Sequence, residues 1–463
     1  MIRHGLLVFP AGPGRVGSTD RRVAGLPLLD RGIRAMARTG IEHLTVIVPE
    51  EAPQPLSALV RRLPLTLQVL TWTQVRSVNW AADAAVLVVL GDHVHHATSL
   101  QELAKADLGQ ADLVVQTSTA PRGVEAVWSV STMDTGVRLA AARTTPGPVS
   151  TGAFVCRGSL LAAAALPAAE AAWHAWLERA AAGHPVIVHP ARAERWHPVR
   201  DRREARAAKR MLFSLVTKPT SGFVSRHINA RISIPISKAL INTGISPHVV
   251  TVCLVLTTGL ASAWLLAHGD SYGRLAVAGI LWQMAAVLDR CDGEIARVKL
   301  CESKFGAWFD TVTDNLAYLC GYVALLAGIR RLHPAEPWFT YLWFSAAGAL
   351  LLTLVTLYTY ARRSGSGSLQ HYLRDLARDL PDRDKGWVQR SMQRYGFVAK
   401  RDFLSFVLCV AMLANSLDAV FWILVVLLHL AAAGVLISQR KMLARAHAEN
   451  ARRTAEEAAG VRP

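Results

Sequence analysis

The sequence predicts two domains of different class, a soluble α/β domain over residues 1–205 and an all-α polytopic membrane domain of six transmembrane helices over residues 247–438. Three observations predict it. Short β-branched runs, LLVF, LTVIV and AAVLVVLGD, alternate with helix-like stretches in the first part, the pattern of a doubly wound sheet. Six apolar stretches follow, at 248–268, 272–288, 308–328, 338–360, 402–416 and 419–437, near the ~20 residues that a bilayer core requires, the fifth being short. Between the second and third lies DRCDGEIARVKLCESKFGAWFDTVTD, which sets four aspartates beside hydrocarbon.

The remaining segments follow in order. The opening MIRHGLLVFPAGPGR lacks the long apolar core of a signal peptide, so the N-terminus is expected in the cytoplasm. Residues 206–246 are basic and amphipathic, with Arg226, Arg231 and Lys238 between Phe223, Ile228, Ile232 and Ile236, as a helix lying in the membrane interface would be. Six crossings return the C-terminus to the cytoplasm. The connectors placed inside carry Arg290, Arg297, Lys299, Lys304, Arg362, Arg363, Arg374, Lys385 and Lys400, in keeping with the positive-inside bias, whereas Arg330 and Arg331 run against it. Residues 439–463 alternate charge and alanine and read as a solvated helix that frays.

The chain of 463 residues carries a formal net charge of +17 and is 52% hydrophobic. Its basic residues concentrate beside apolar spans, which suits an anionic membrane leaflet, and no nucleic-acid motif accompanies them, so nucleic acid is not an expected partner. The six cysteines form no C-x-x-C pair and read as free thiols in a reducing compartment. Thiolates are poor ligands for Mg²⁺, so Cys291 and Cys301 receive no chemistry.

Asp289 and Asp292 are three positions apart, and Asp310 and Asp314 four, so on helices each pair projects from one face. Two facing helices would converge four carboxylates on one spot, where they stay ionised only with cations. An all-oxygen set suits hard divalent ions, Mg²⁺ or Mn²⁺, with phosphates completing the shell. The full pattern is Asp289-x-x-Asp292-Gly293-x-x-Ala296-Arg297, eight residues, then Gly306-x-x-x-Asp310-x-x-x-Asp314. It resembles, at all eight positions, the signature of the CDP-alcohol phosphotransferase (CDP-alcohol phosphatidyltransferase) family. The resemblance extends to Lys218-Pro219-Thr220, to Gly222-Phe223-Val224-Ser225-Arg226 and to Ile245 through Thr251.

That resemblance implies transfer of a substituted phosphate from a CDP-linked donor to an alcohol acceptor with release of CMP, at two bound metal ions. Asp289, Asp292 and Asp310 are then metal ligands. Asp314 is either a ligand of the second metal that also acts as general base, or a ligand alone; neighbouring carboxylates and membrane can raise its basicity. Asp292, Gly293, Ala296, Arg297 and Gly306 are the expected CDP-binding residues. The bare glycines admit close backbone approach of nucleotide or of a packed helix, Ala296 offers a flat face to the cytosine, and Arg297 offers its fork to phosphate or anchors the topology. Arg362 and Arg363 are candidates for the acceptor phosphate, with topology anchoring the alternative. A homodimer in a prokaryotic inner or cell membrane is expected.

The first domain resembles the sugar-phosphate nucleotidyltransferases, through Ala11-Gly12-Pro13-Gly14, Leu26 to Arg31, Gly91-Asp92-His93-Val94 and Ser150-Thr151-Gly152. Its fusion to a membrane domain is similar to bifunctional inositol-1-phosphate cytidylyltransferase/di-myo-inositol-phosphate-phosphate synthases. It departs from that pattern where chemistry is carried: the loop arginine comes one residue early as Arg15, Leu26 stands at the lysine position, and Arg200 stands where a second metal-binding aspartate belongs beside Asp92. A cation cannot replace a metal-binding carboxylate, so a retained fold with degenerate activity is expected. His93, His95 and His96 read as surface histidines. Two rival functions stay open, a bifunctional enzyme that also makes its own CDP-alcohol from CTP and a non-catalytic membrane scaffold or transporter.

Overall fold

The β-branched runs form strands whose neighbours in space are set by a parallel core. The computed structural model describes residues 2–10, 19–49, 63–75, 80–121, 124, 126–133, 136–143, 147–162, 170–217, 221–243, 245–268, 271–364 and 401–458. The glycine loop 11–14 with Arg15, Lys218 to Thr220 and connector residues 365–400 lie outside them. The chain divides into two units. The first comprises Met1–Pro219, Ile234–Ile245 and Gly293–Ser303, and the second comprises Thr220–Ser233, Ser246–Asp292 and Lys304–Pro463.

In the first unit, Ala85–Leu90, His4–Val8, His43–Val48 and Thr66–Thr71 pair in that order, all parallel. His4–Val8 and Ala85–Leu90 are buried along almost their whole length, as both faces of a helix-covered parallel sheet must be, which explains their unbroken apolar runs. The doubly wound expectation fails beyond these four strands. Val149–Arg157 runs antiparallel to both Ala85–Leu90 and Leu113–Ser118, and the Ala126–Met133 and Gly136–Arg143 hairpin extends that antiparallel side. A hairpin needs only a tight turn, whereas each parallel neighbour needs a crossover. Phe154, Trp173, Trp176 and Leu177 close the core on this side.

The six predicted apolar stretches are mostly helical, falling on His248–Ala267, Tyr272–Val298, Lys304–Leu332, Trp338–Ser364, Arg401–Leu413 and Leu417–Ala458, with 414–416 outside the fifth helix. Four described helical stretches are long and apolar enough to cross a membrane: His248–Ala267, Trp308–Leu332, Trp338–Thr356 and Leu417–Ile437. The predicted crossings at 272–288 and 402–416 do not join them. Tyr272–Val298 carries Arg274 and a charged last third from Asp289 onward, and Arg401–Leu413, at about 1.5 Å per residue, spans some 20 Å of a ~30 Å hydrocarbon core. The helices pack through Leu275, Leu325, Ile329, Phe339, Leu408 and Phe421. Trp264, Leu319, Phe344 and Leu430 point outward at about 60% exposure, an arrangement that lipid accommodates and water penalises. The last helix continues through the charged tail to Ala458.

Candidate functional site

Two helices carry the acidic pattern. On Tyr272–Val298, Asp289, Asp292, Gly293, Ala296 and Arg297 fall at i, i+3, i+4, i+7 and i+8, so they share one stripe. On Lys304–Leu332, Gly306, Asp310 and Asp314 recur every four residues and share another. The turn between these helices is made by Leu300 at φ +51°, with Cys301 N–H returning to Ala296 O at 2.9 Å.

One carboxylate oxygen from each of Asp289, Asp292 and Asp310 lies within 4.8 Å of the others. Asp292 is buried and the other two are half-buried. At that separation and an effective dielectric near 20, each ionised pair repels by about 3 kcal/mol, a cost that a bound cation removes. Donor chemistry fits a hard divalent ion, since all three groups are carboxylates. Asp314, 8% exposed, is one turn beyond Asp310 and is not within that triad. It lines a narrow cleft with Asp289, Val255, Trp282, Tyr318 and Ser405.

Supporting contacts appear that the sequence did not announce. The Thr251 hydroxyl donates to Asp292 Oδ2, fixing the orientation of the buried carboxylate. Arg290 donates to the hydroxyls of Ser225 and Ser233, and Ser225 N–H donates to Asp402 Oδ2 at 2.7 Å. Glu294, completely buried, accepts from the Ser237 hydroxyl at 2.7 Å in the first unit. Thr251 and Ser225 lie in segments that carry the family resemblance, a signal that could have found them. Arg290, Glu294 and Asp402 read as charges near a membrane, because hydropathy does not reveal which charges fold inward.

Arg297 Nε donates to Val216 O at 3.1 Å. A Cβ on Gly293 would sit 3.1 Å from Arg297 Nη1, so the bare backbone lets the guanidinium lie flat along its own helix. Ala296 occupies the same stripe, and Gly306 opens the next helix. Arg362 and Arg363 end the Trp338–Ser364 helix, and their side chains lie outside the described ones.

Of the three histidines expected at the surface, His93 and His95 are inside the first unit and His96 is half-buried. His93–His95 pairs with Trp196–Pro198 as an antiparallel ribbon, and His93, His95, Trp196 and His197 are all at most 8% exposed. Among the described residues neither ring nitrogen of His95 has a hydrogen-bond partner, and burial pushes its pKa down to about 3. Asp92, 1% exposed, accepts from or pairs with His93 Nδ1 at 2.8 Å, and its carbonyl accepts the Val199 N–H at 2.7 Å. The ribbon therefore places Arg200 on the backbone step next to Asp92. Leu26 is 8% exposed in the two-residue strand Leu26–Pro27, opposite Val23 of its antiparallel partner.

The chain is similar to several known proteins. Residues 245–378 match the family model for CDP-alcohol phosphatidyltransferase. The chain is 29% identical over 365 residues to a "Bifunctional IPC transferase and DIPP synthase" of Rubrobacter xylanophilus, covering 74% of this chain and 78% of that one. It is 32% identical over 149 residues to a phosphatidylinositol phosphate synthase of Mycobacterium tuberculosis, covering 31% of this chain and 63% of that one. Among solved structures, an inositol-1-phosphate CTP transferase from T. maritima aligns at 15% identity and a TM-score of 0.37, over 45% of this chain and 95% of that one. The two acidic helices thus lie within the stretch that matches the CDP-alcohol phosphatidyltransferase family model, residues 245–378, and the chain is a phosphotransferase-class enzyme with four helical stretches long and apolar enough to cross a membrane.

Proposed function

We propose that this enzyme transfers the alcohol-phosphate of a CDP-linked donor to an inositol-phosphate-type acceptor, releasing CMP. The observation that carries the reading is the convergence of Asp289, Asp292 and Asp310 oxygens within 4.8 Å. These three carboxylates would hold divalent metal, two Mg²⁺ or Mn²⁺ ions in the full site, with Asp314 reaching the second. Metal, when bound, offsets the charge of the pyrophosphate and of the departing CMP.

The remaining work falls to the chain. Asp292, Gly293, Ala296, Arg297 and Gly306 bind the CDP moiety, the glycines admitting it closely and the Arg297 fork meeting phosphate. Asp314 accepts the proton of the acceptor hydroxyl as its oxygen bonds to the β-phosphorus. The bond from that phosphorus to the bridging oxygen breaks, and CMP leaves with the electron pair. Arg362 and Arg363 hold the acceptor phosphate. If Tyr272–Val298 and Arg401–Leu413 also cross, six crossings with both termini cytoplasmic set the site at the cytoplasmic end of its helices; a homodimer is the working assembly.

The first unit, in this reading, has lost cytidylyltransferase chemistry. Leu26 in place of a lysine, Asp92 enclosed with His93, and Arg200 beside Asp92 support that loss. The rival reading, a bifunctional enzyme, draws on the printed name of the Rubrobacter relative. Mg²⁺-dependent CMP release from CDP-diacylglycerol and from CDP-inositol, each with inositol phosphate and with Asp314→Asn as the blank, tests the transferase. Release that disappears in the variant is expected from one donor, and the other then serves as the control. No release from either overturns the reading, and CTP-dependent pyrophosphate release revives the bifunctional one.

A further inference from the structure

The C-terminal end of the motif helix is gripped by three arginines from a helix some 270 residues earlier in sequence. Arg31, Arg34 and Arg38 are spaced i, i+3 and i+7, one face of the Leu28–Ala37 helix and its cap. Arg31 Nη1 donates to Val298 O at 2.9 Å, Arg34 Nη1 to Lys299 O at 2.8 Å, and Arg38 Nη2 to Glu302 O at 3.2 Å. Arg38 also pairs with the Glu302 carboxylate at 3.5 Å. All of these residues belong to the first unit, which includes Gly293–Ser303.

The chemistry of the contact is specific. The last carbonyls of a helix have no partner inside it and form the negative end of its dipole, so Arg31 on Val298 O, the helix's last residue, satisfies both needs, while Arg34 and Arg38 hold the turn and connector that follow. Leu300, at φ +51°, holds a left-handed conformation that a branched L side chain rarely adopts without outside support. Arg31 and Arg34 are each at most 5% exposed, and burying such charges has no purpose unless the acceptors they meet are held in return. Arg31 is further tied to Val23 O at 2.9 Å and Arg34 to Asp30 at 3.7 Å, so the clamp is itself anchored. Gly25, at φ +79°, lets the preceding turn approach, since a Cβ there would stand 2.2 Å from Ile241 O.

We infer that Arg31, Arg34 and Arg38 are positioning residues of the transferase: by capping Val298 to Glu302 they fix the last turns of the helix that presents Gly293 and Arg297 to the CDP group. The α/β unit would then act on the reaction as a mechanical support, without turning over nucleotide itself. This inference rests on the CMP-releasing activity proposed above.

The test uses full-length protein in nanodiscs with Arg38→Ala, Arg38→Lys, Arg34→Ala and, as control, Arg3→Ala, whose pair with Glu42 is exposed. Amide exchange over 293–303 and the KM for the CDP donor that turns over are read together. Loss of one solvent-exposed hydrogen bond corresponds to about a 3- to 10-fold change in either readout. Arg38→Ala should quicken exchange in 293–303 but not in His4–Val8, and raise KM by that factor with kcat within twofold. Arg38→Lys should recover part of the effect, and Arg3→Ala should change nothing. Unaltered exchange in Arg38→Ala overturns the clamp, and quicker exchange with unaltered KM overturns its role in positioning. Should Arg34→Ala fail to fold, the Arg38 pair decides alone. A wild-type protein inert with every donor sinks the proposed activity instead, and the exchange data then still judge whether the clamp exists.

Discussion

The two units each keep aspartates out of bulk water, and they do so in opposite ways. In the membrane unit Asp289, Asp292 and Asp310 crowd within 4.8 Å, although like charges at that range repel. In the α/β unit Asp92 is 1% exposed and is met by His93 Nδ1 at 2.8 Å. A carboxylate satisfied by its neighbour is explained by folding; a cluster that folding alone would spread apart asks for a ligand. The contrast separates a site built for chemistry from one whose chemistry has been replaced by packing.

The sharpest way to break this comparison is to remove one charge from the cluster. Asp289→Asn should lower CMP release by about 10³-fold or more, the size expected when a group holding catalytic metal is lost. In EDTA the same variant should melt a few degrees above wild type, because the repulsion among the three is relieved. Activity assays and melting curves with and without Mg²⁺ check both halves. An active variant, or one that melts lower in EDTA, would place the aspartates in a structural role.

Acid offers the next largest effect, and it falls on the α/β unit. Burial holds His95 neutral, its pKa lowered to about 3, while the unfolded chain takes up the proton near the ordinary value of 6.5. The unfolded state thus binds more protons between those values, so stability is complete above about pH 6.5 and is lost as pH falls toward 3, by on the order of a few kcal/mol. His197, also lowered chiefly by burial, acts in the same direction. His95→Phe should flatten the dependence of melting temperature on pH, since neither ring nitrogen has a partner to lose among the described residues. Asp92→Ala probes the same region at neutral pH. It strips the Nδ1 partner from buried His93 and should cost about 1–3 kcal/mol while CMP release stays within twofold. A large loss of activity with intact folding would return Asp92 to the chemistry.

The sequence made the acidic helices legible because two independent regularities coincide there: spacings of three and four put carboxylates on single faces, and hydrocarbon on both sides makes their presence costly. Six apolar stretches became helices for the same reason. What stayed hidden depends on tertiary pairing. The ribbon between His93–His95 and Trp196–Pro198 joins segments about a hundred residues apart, and only that pairing takes the histidines from the surface to the interior. Val149–Arg157 reads as any buried strand, and nothing local says that it runs antiparallel to Ala85–Leu90. Arg31, Arg34 and Arg38 look like the solvated face of a helix until Val298, Lys299 and Glu302 are brought to them.

The smallest expected effect sharpens the comparison through a second histidine whose pH response has the opposite sign. His333, between two spans of the membrane unit, hydrogen-bonds Asp418 through Nε2 at 2.7 Å and pairs with Glu336 through Nδ1 at 3.3 Å. The hydrogen bond to Asp418, before the other causes, raises its pKa above the ordinary value. Protonation is then favoured in the folded state, so the contribution is fully present below about pH 6.5 and is lost as pH rises through the folded pKa. Half-exposed carboxylates screen the pair, which limits it to below about 1 kcal/mol. His333→Gln should therefore lower the melting temperature slightly at pH 6 and leave it unchanged at pH 9, while His95→Phe does its work only in acid. A common pH dependence in both variants would mean that the two units do not unfold through separate ionisations, and that the contrast between them is one of packing alone.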